Sequence, residues 1–350
     1  MNGLQFSYKQ ANDESEVVAM VAGKSKKDNG RLIFLNNVRM DHNEKEDFKF
    51  ELFYDFIKHK QISQSAYNEL VQCVEAGEAP TDSKLKKIYN EFIQSIKKTS
   101  EIRLPNVELE VCPLVGDNTR EKKSRECVLV NGQNGSGKSY WVGNYLRKWQ
   151  MLFKKSPIYL LSNKPIDDEP AFDAIKNMVQ IPLTMKSLIE LVGKEEFSDK
   201  KKIKKIVEEL EENNYEDNEE SFAPYQHFTS ETGQSMVVFD DFESDGKIEA
   251  MVRTIINSIL RVGRAKRIYC IIVTHTLCGG TKTKTFFSEC DAFCLFSKQI
   301  SPYNLKYCLK NYTRMNEHQI AKVLDSDTRW VYIHKTVPQY VIEEHKLWLY

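Results

Sequence analysis

Eight consecutive residues constrain this chain more than any other stretch. Gly132, Gln133, Asn134, Gly135, Ser136, Gly137, Lys138 and Ser139 read G-x-x-x-x-G-K-S. Glycines at those places let the backbone turn so that successive N–H groups converge on one point, where the positive end of a following helix adds to them. Such a cradle suits phosphate. The flanks agree, since "CVLVN" (127–131) reads as a buried strand and "SYWVGNYLRKWQMLF" as the helix that follows. In such a loop Lys138 neutralises the β- and γ-phosphates and Ser139 offers its hydroxyl to Mg²⁺. Tyr140 stands next on the helix and joins the expected nucleotide contacts.

The rhythm downstream extends this unit into a fold. "PIYLLS" (157–162), "SMVVFD" (235–240), "RIYCIIVTH" (267–275) and "DAFCLFS" (291–297) are short, apolar, and β-branched or aromatic, as strands buried on both faces are. Helical stretches separate them, which predicts an α/β fold with a mainly parallel sheet. One strand lies between the loop strand and the acidic strand "SMVVFD" in sequence, and another follows. That order suits the ASCE-type branch of P-loop NTPases, in which an additional strand sits between the two motif strands.

Ahead of this region, residues 1–40 mix strand-like runs such as "RLIFL" with turn residues, and from Glu46 to about Thr99 apolar residues recur every three or four positions. The expected organisation is therefore a mostly helical N-terminal region, 1–120, before an ATPase domain, 121–350. A charged insert at about 195–231 passes from a basic block to an acidic one and reads as a solvated helix and loop, or as a partner-docking segment.

Composition excludes several classes. Fifty basic residues balance fifty acidic ones in 350, so no global field draws a polyanion and any nucleic-acid surface must be local. The start lacks a signal-peptide pattern, and no run reaches the roughly 18 apolar residues of a membrane span. The eight scattered cysteines suit a reducing compartment. A soluble, intracellular protein without membrane partners is expected.

Asp240 and Asp241 arrive at the carboxyl end of the strand "MVVF", where ligands of open α/β sheets sit. Asp240 is expected in the Mg²⁺ shell and Asp241 beside the attacking water, with Glu243 a rival for that role. His275, at the end of "IYCIIVTH", either senses the γ-phosphate or is an ordinary loop histidine. Between these strands, "GKIEAMVRTIINSILRVGRAKR" sets Ile248, Met251, Val252, Ile255, Ile259 and Val262 on one helix face and Arg253, Asn257, Arg261 and Arg264 on the other. That stripe is either solvated or supplies Arg264 or Arg261 as an arginine finger to a neighbouring subunit's γ-phosphate. Lys282 and Lys284, amid glycine and threonine, read either as a loop that grips DNA phosphates from a ring pore or as a plain surface loop.

Taken with "PIYLLSNKPIDDEPAFD", "VVFDDF", "ILRVGRAKRIYCIIVTHT" and "DTRWVYIHKTVPQYVIEEH", the chain from about Cys127 resembles the viral genome-packaging ATPases of the FtsK and HerA type, especially the poxvirus-like ones of large double-stranded DNA viruses. The resemblance implies ATP and Mg²⁺ as cofactors, Lys138 and Ser139 on nucleotide and metal, Asp240 on Mg²⁺, Asp241 as catalytic acid, and His275 in a position often held by Gln. It also implies a homo-oligomer, with a ring as one form, acting on double-stranded DNA in the host cytoplasm (viral factory) or virion, with a capsid or other viral protein as a further partner. Rivals are a nucleotide or polynucleotide kinase and a nucleotide-binding structural virion protein. A zinc site at His275, Cys278, Cys290 and Cys294 has permissive spacing only.

Overall fold

The structure, a computed structural model, describes residues 3–11, 15–23, 29–38, 53–54, 56–57, 60, 62–97, 101–104, 106–114, 125–192, 224–243 and 246–350. Along the chain come β1 (Gly3–Ser7), β2 (Glu16–Ala22), β3 (Leu32–Val38), α1 (Gln64–Ala76), α2 (Ser83–Lys97), β4 (Glu101–Arg103) and β5 (Glu108–Val111). Then follow β6 (Cys127–Asn131), α3 (Lys138–Leu152), β7 (Ile158–Leu161), β8 (Met178–Ile181), α4 (Met185–Val192), β9 (Ser235–Phe239), α5 (Gly246–Val262) and β10 (Ile268–Thr274). The last part holds α6 (Thr281–Glu289), β11 (Ala292–Leu295), α7 (Pro302–Tyr312), α8 (Glu317–Leu324), β12 (Val331–His334), β13 (Tyr340–Glu343) and β14 (Lys346–Leu349).

One sheet of ten strands, in the order β4-β14-β13-β12-β11-β6-β10-β9-β7-β8, organises the molecule. From β11 to β8 the six neighbours run parallel. The remaining strands add antiparallel to the β11 edge. β10 separates the loop strand β6 from the acidic strand β9, so the intervening strand in space is the later one in sequence.

Every residue of β6, β9 and β10 is buried. Because side chains alternate across a strand, Leu129, Val237, Phe239, Cys270 and Ile272 enter one core with α5 and α7. Val128, Val130, Met236, Val238, Ile271 and Val273 enter a second core with α3, on the other face. This alternation also bears on the zinc reading, for Cys290 belongs to the first core and Cys294 to the second. No metal-binding group of His, Cys, Asp and Glu occurs among the described residues.

The N-terminal region departs from the mostly helical expectation. It begins with strands, and β1-β3-β2-β5 form an antiparallel sheet whose Phe6, Val18, Ile33 and Leu109 pack into the α3-side core. The helical periodicity is real but belongs to α1 and α2, an insertion between β3 and β4 with its own small core of Phe53, Leu70, Val74, Tyr89 and Phe92. β5, returning from outside the helical stretch, completes the small sheet by pairing with β2. β4 instead pairs with β14 at the edge of the large sheet. Of the charged insert, residues 193–223 lie outside the described residues; beyond them Pro224–Phe228 form a short turn with Phe228 fully buried. No helix among the described residues is long and apolar enough to cross a membrane.

Candidate active site

The loop leaves β6 at the carboxyl edge of the parallel strands and is pinned on both sides. Gly132 N donates to Thr274 O of β10 at 3.3 Å, while Phe296 N, just past β11, donates to Asn131 O at 2.9 Å. Asn131 adds a side-chain bond to Thr274 Oγ1 at 3.0 Å. A Cβ on Gly132 would lie 2.8 Å from Phe296 Cβ, so the loop base is closed to any side chain. Gly135 and Gly137 sit at φ 73° and 99°, the left-handed region that glycine enters without steric cost.

Lys138 opens α3 and folds back, its Nζ donating to Gly132 O at 2.6 Å and Gln133 O at 2.9 Å. His275 Nδ1 stands 3.4 Å from the same ammonium. Burial lowers the Lys138 pKa, opposed by the field of Asp240. Asp240 directly follows β9, only 6% exposed, and burial raises its pKa against the field of Lys164, with Asp241 and Glu169 adding to the rise. A buried carboxylate and a buried ammonium facing one cradle fit a triphosphate with a divalent cation, which would supply the countercharge each lacks in part. Ser136 Oγ points the same way, since it is buried with no hydrogen-bond partner.

Asp241 turns out of the strand at φ 54°, a strained conformation for a side-chain-bearing residue. Its carboxylate lies between the Lys164 ammonium, Nζ at 3.6 Å, and the His275 ring, Nε2 at 3.7 Å. Glu243 has other work. It accepts from His275 N at 2.6 Å and lies 3.7 Å from Arg253, with its side chain only 12% exposed. Glu243 thereby ties the end of β10 to α5.

The arginine stripe divides. Arg253 does not face solvent: it bonds Glu249 at 2.8 Å and lies over the rings of Phe242 and Phe286. Ile256 and Leu260 are buried on α5, whereas Val262, expected on the apolar face, is 43% exposed. Arg261, in the last turn of this 17-residue helix, and Arg264, just past its end, are exposed. At 1.5 Å per residue they lie about 20 Å from the loop edge and do not enter this chain's own site. The lysine-bearing segment, read as a loop from the sequence, is the helix α6, on which Lys284 is exposed.

Two features escaped the sequence reading. Lys164 follows β7, and its place at the carboxyl end of a parallel strand was the signal available. The second is a cleft on the side of the loop away from Asp240, lined by Ser136, Gly137, Tyr140, Asn144, Phe296 and Trp330, with Glu108 and Glu110 of the small sheet forming a far wall. Tyr140 is 59% exposed there. No local pattern announces this cleft, because its walls come from four separate parts of the chain.

Fold and loop together define an α/β protein with a mostly parallel central sheet and a phosphate-type loop at its carboxyl edge. In sequence, the chain is 27% identical over 225 residues to protein V3 of Sputnik virophage, covering 63% of this chain and 76% of that one. Among solved structures it is similar to B204, the DNA-packaging ATPase of Sulfolobus Turreted Icosahedral Virus, with 13% identity and a TM-score of 0.36 over 63% of this chain and 98% of that one. It is also similar to the pCW3 conjugation coupling protein TcpA, with 14% identity and a TM-score of 0.36, over 70% of this chain and 66% of that one, just short of two thirds. No protein-family model matches the chain. Viral genome-packaging and coupling ATPases, the group named by the motifs, are thus among its structural neighbours.

Proposed function

We propose that the chain is an Mg²⁺-dependent ATPase that works as an oligomer on double-stranded DNA, in the manner of a viral packaging motor. The observation that carries the reading is the meeting of Lys138, Asp240, Asp241 and His275 at the ends of three adjacent parallel strands. A carboxylate beside the γ-phosphate serves a kinase as well as a hydrolase; hydrolysis is favoured over the kinase reading because the later stretch "KQISPYNLKYCLKNYTR" offers only Arg314 where a kinase lid needs clustered arginines.

Backbone N–H groups from Gln133 to Ser139 bind the phosphates, with Lys138 exchanging loop carbonyls for phosphate oxygens. Ser139 and Asp240 hold the cation, which supplies charge neutralisation when bound. Asp241 accepts the proton of the attacking water, and His275 orients that group and feels the γ-phosphate through Lys138. Glu243 is the weaker candidate for the base, because one of its oxygens is held in a 2.6 Å hydrogen bond by His275 N, whereas the neighbours of Asp241 stand at 3.6 and 3.7 Å. The base and ribose extend into the cleft beside Tyr140 and Trp330. Arg261 or Arg264 completes the site of a neighbouring subunit, a role that their exposure and distance from their own loop permit. Lys282 and Lys284 offer sequence-independent DNA contacts. Viral origin, a capsid partner and a viral-factory or virion location follow from the same reading.

Phosphate release by wild type and Asp241→Asn, with and without duplex DNA, tests it. The expected result is DNA-stimulated release in the wild type, abolished by chelating Mg²⁺ and reduced at least 100-fold, on the order of a lost general base, in the variant. Release indifferent to both DNA and the substitution would sink the reading. Mixing Arg264→Ala with Lys138→Ala subunits tests the finger, since catalysis in trans predicts recovered activity in the mixture.

A further inference from the structure

α7 presents a face that the site described above does not use. Its inward side, Leu305, Cys308 and Leu309, is buried in the α5-side core. Its outward side carries Tyr303, Lys306, Tyr307, Lys310 and, just past its end, Arg314, spaced as one helical stripe. Tyr303 is 78% exposed and Tyr307 47%, two of the most exposed aromatic rings among the described residues. Lys306 and Lys310 share one acidic neighbour, Glu317, at 3.2 and 3.6 Å. Three cations thus stand against one carboxylate, in a chain that is neutral as a whole.

An apolar protein partner would need aliphatic side chains here, and the stripe has none. Every group on it is a hydrogen-bond donor, either a phenol, an ammonium or a guanidinium, and phosphate oxygens are acceptors only. The surface is a convex helix face rather than a groove that could splay bases apart, which favours contact with the backbone of a duplex over stacking on a single strand. Its position couples it to the loop. Phe296, which touches Gly132, is followed by the turn Ser297–Gln299 and then by Pro302 at the start of α7.

Resting on the DNA-handling function above, we infer that the Tyr303–Arg314 face of α7 binds the phosphate backbone of double-stranded DNA without reading its sequence. Three cations reaching phosphates make the binding salt-dependent, each contributing about 0.9 to the slope of log affinity against log salt.

The full chain, with ATP and Mg²⁺, is titrated onto a fluorescent mixed-sequence duplex and onto the matching single strand over a range of salt. The variants are Lys306→Gln with Lys310→Gln, and separately Tyr303→Ala with Tyr307→Ala, both on solvent-facing positions; circular dichroism checks their folding. The lysine variant is expected to bind duplex at least tenfold more weakly, with the salt slope reduced by about 2. The tyrosine variant should weaken duplex binding severalfold, and phosphate release without DNA should stay at the wild-type rate in both. Wild-type duplex affinity in both variants overturns the inference while leaving the proposed function standing. Loss confined to single strands overturns it too, as does loss of self-association in sedimentation, which would make the face a contact between copies. A wild type that ignores duplex altogether removes this inference and the DNA-handling function together.

Discussion

Replacing Gly143 with alanine sets two physical effects against each other. In an exposed helix interior the change would stabilise by about 1 kcal/mol, because alanine is the better helix former. Gly143, however, faces the turn at Pro170–Phe172, and an added Cβ would stand 2.3 Å from Ala171 O and 3.1 Å from Ala171 C. Ordinary contact begins near 3.4 Å, so α3 or the turn must move by roughly 1 Å. Overpacking of this kind costs about 1–3 kcal/mol, and the obstacle is backbone rather than a flexible side chain. Because the 2.3 Å clash is with backbone, the cost belongs to the upper end of that range, and the clash is expected to win with a net loss of about 1–2 kcal/mol after the opposing helix propensity. Lys138 and Ser139 stand on the same rigid helix one turn and a half earlier, so nucleotide affinity should fall with stability, and a misplacement near 1 Å can cost up to about 100-fold in turnover. Urea unfolding followed by circular dichroism, and calorimetric titration with a non-hydrolysable ATP analogue, read the two effects. A variant as stable as the wild type or more so, with unchanged affinity, would refute the close-packing argument.

Glu243→Gln keeps a carbonyl to accept from His275 N, so it should retain most hydrolysis where Asp241→Asn loses it; the reverse ranking in single-turnover assays would make Glu243 the base. Tyr140→Ala should weaken ATP binding by about 0.5–1.5 kcal/mol yet leave inorganic triphosphate affinity untouched, since the cleft faces the base end; equal losses for both ligands would move the base elsewhere. Burial raises the pKa of Glu126, which accepts from Tyr145, Tyr332 and Leu114 N beneath the small sheet. A carboxyl that keeps its proton to higher pH in the fold than in the unfolded chain stabilises below the ordinary carboxylate range, and loses that contribution as pH rises through the folded value. Glu126→Gln should therefore flatten the decline of stability with rising pH, and thermal melts across that window that parallel the wild type would contradict it.

Much of the site was legible because its signals are local. The loop needs its glycines within eight residues, and strands buried on both faces announce themselves by continuous apolar runs, so β6, β7, β9, β10 and β11 could be placed. Asp240 and Asp241 followed from strand ends alone. Strand-like runs in 1–40 and helical spacing after them were legible, but the small sheet was not, because β5, which completes it, lies beyond the helical insertion and that pairing leaves no periodic trace. Arg253 looked like a member of an outward stripe because helical spacing assigns a face but cannot tell what packs against it. Glu249, Glu243 and the rings of Phe242 and Phe286 enclose it only once α5, α6 and the end of β9 are assembled.

The sequence by itself determined that a phosphate-type loop would sit between a buried strand and a helix, with carboxylates at another strand's end, since each depends on backbone rules acting over a few residues. Tertiary structure alone decided that β10 separates β6 from β9, that Lys164 and His275 flank Asp241, and that Arg261 and Arg264 lie far from their own loop. It also decided that Glu243 is spent on His275 N. Those outcomes depend on strand order and on contacts between residues far apart in the chain, and neighbouring residues carry no record of either.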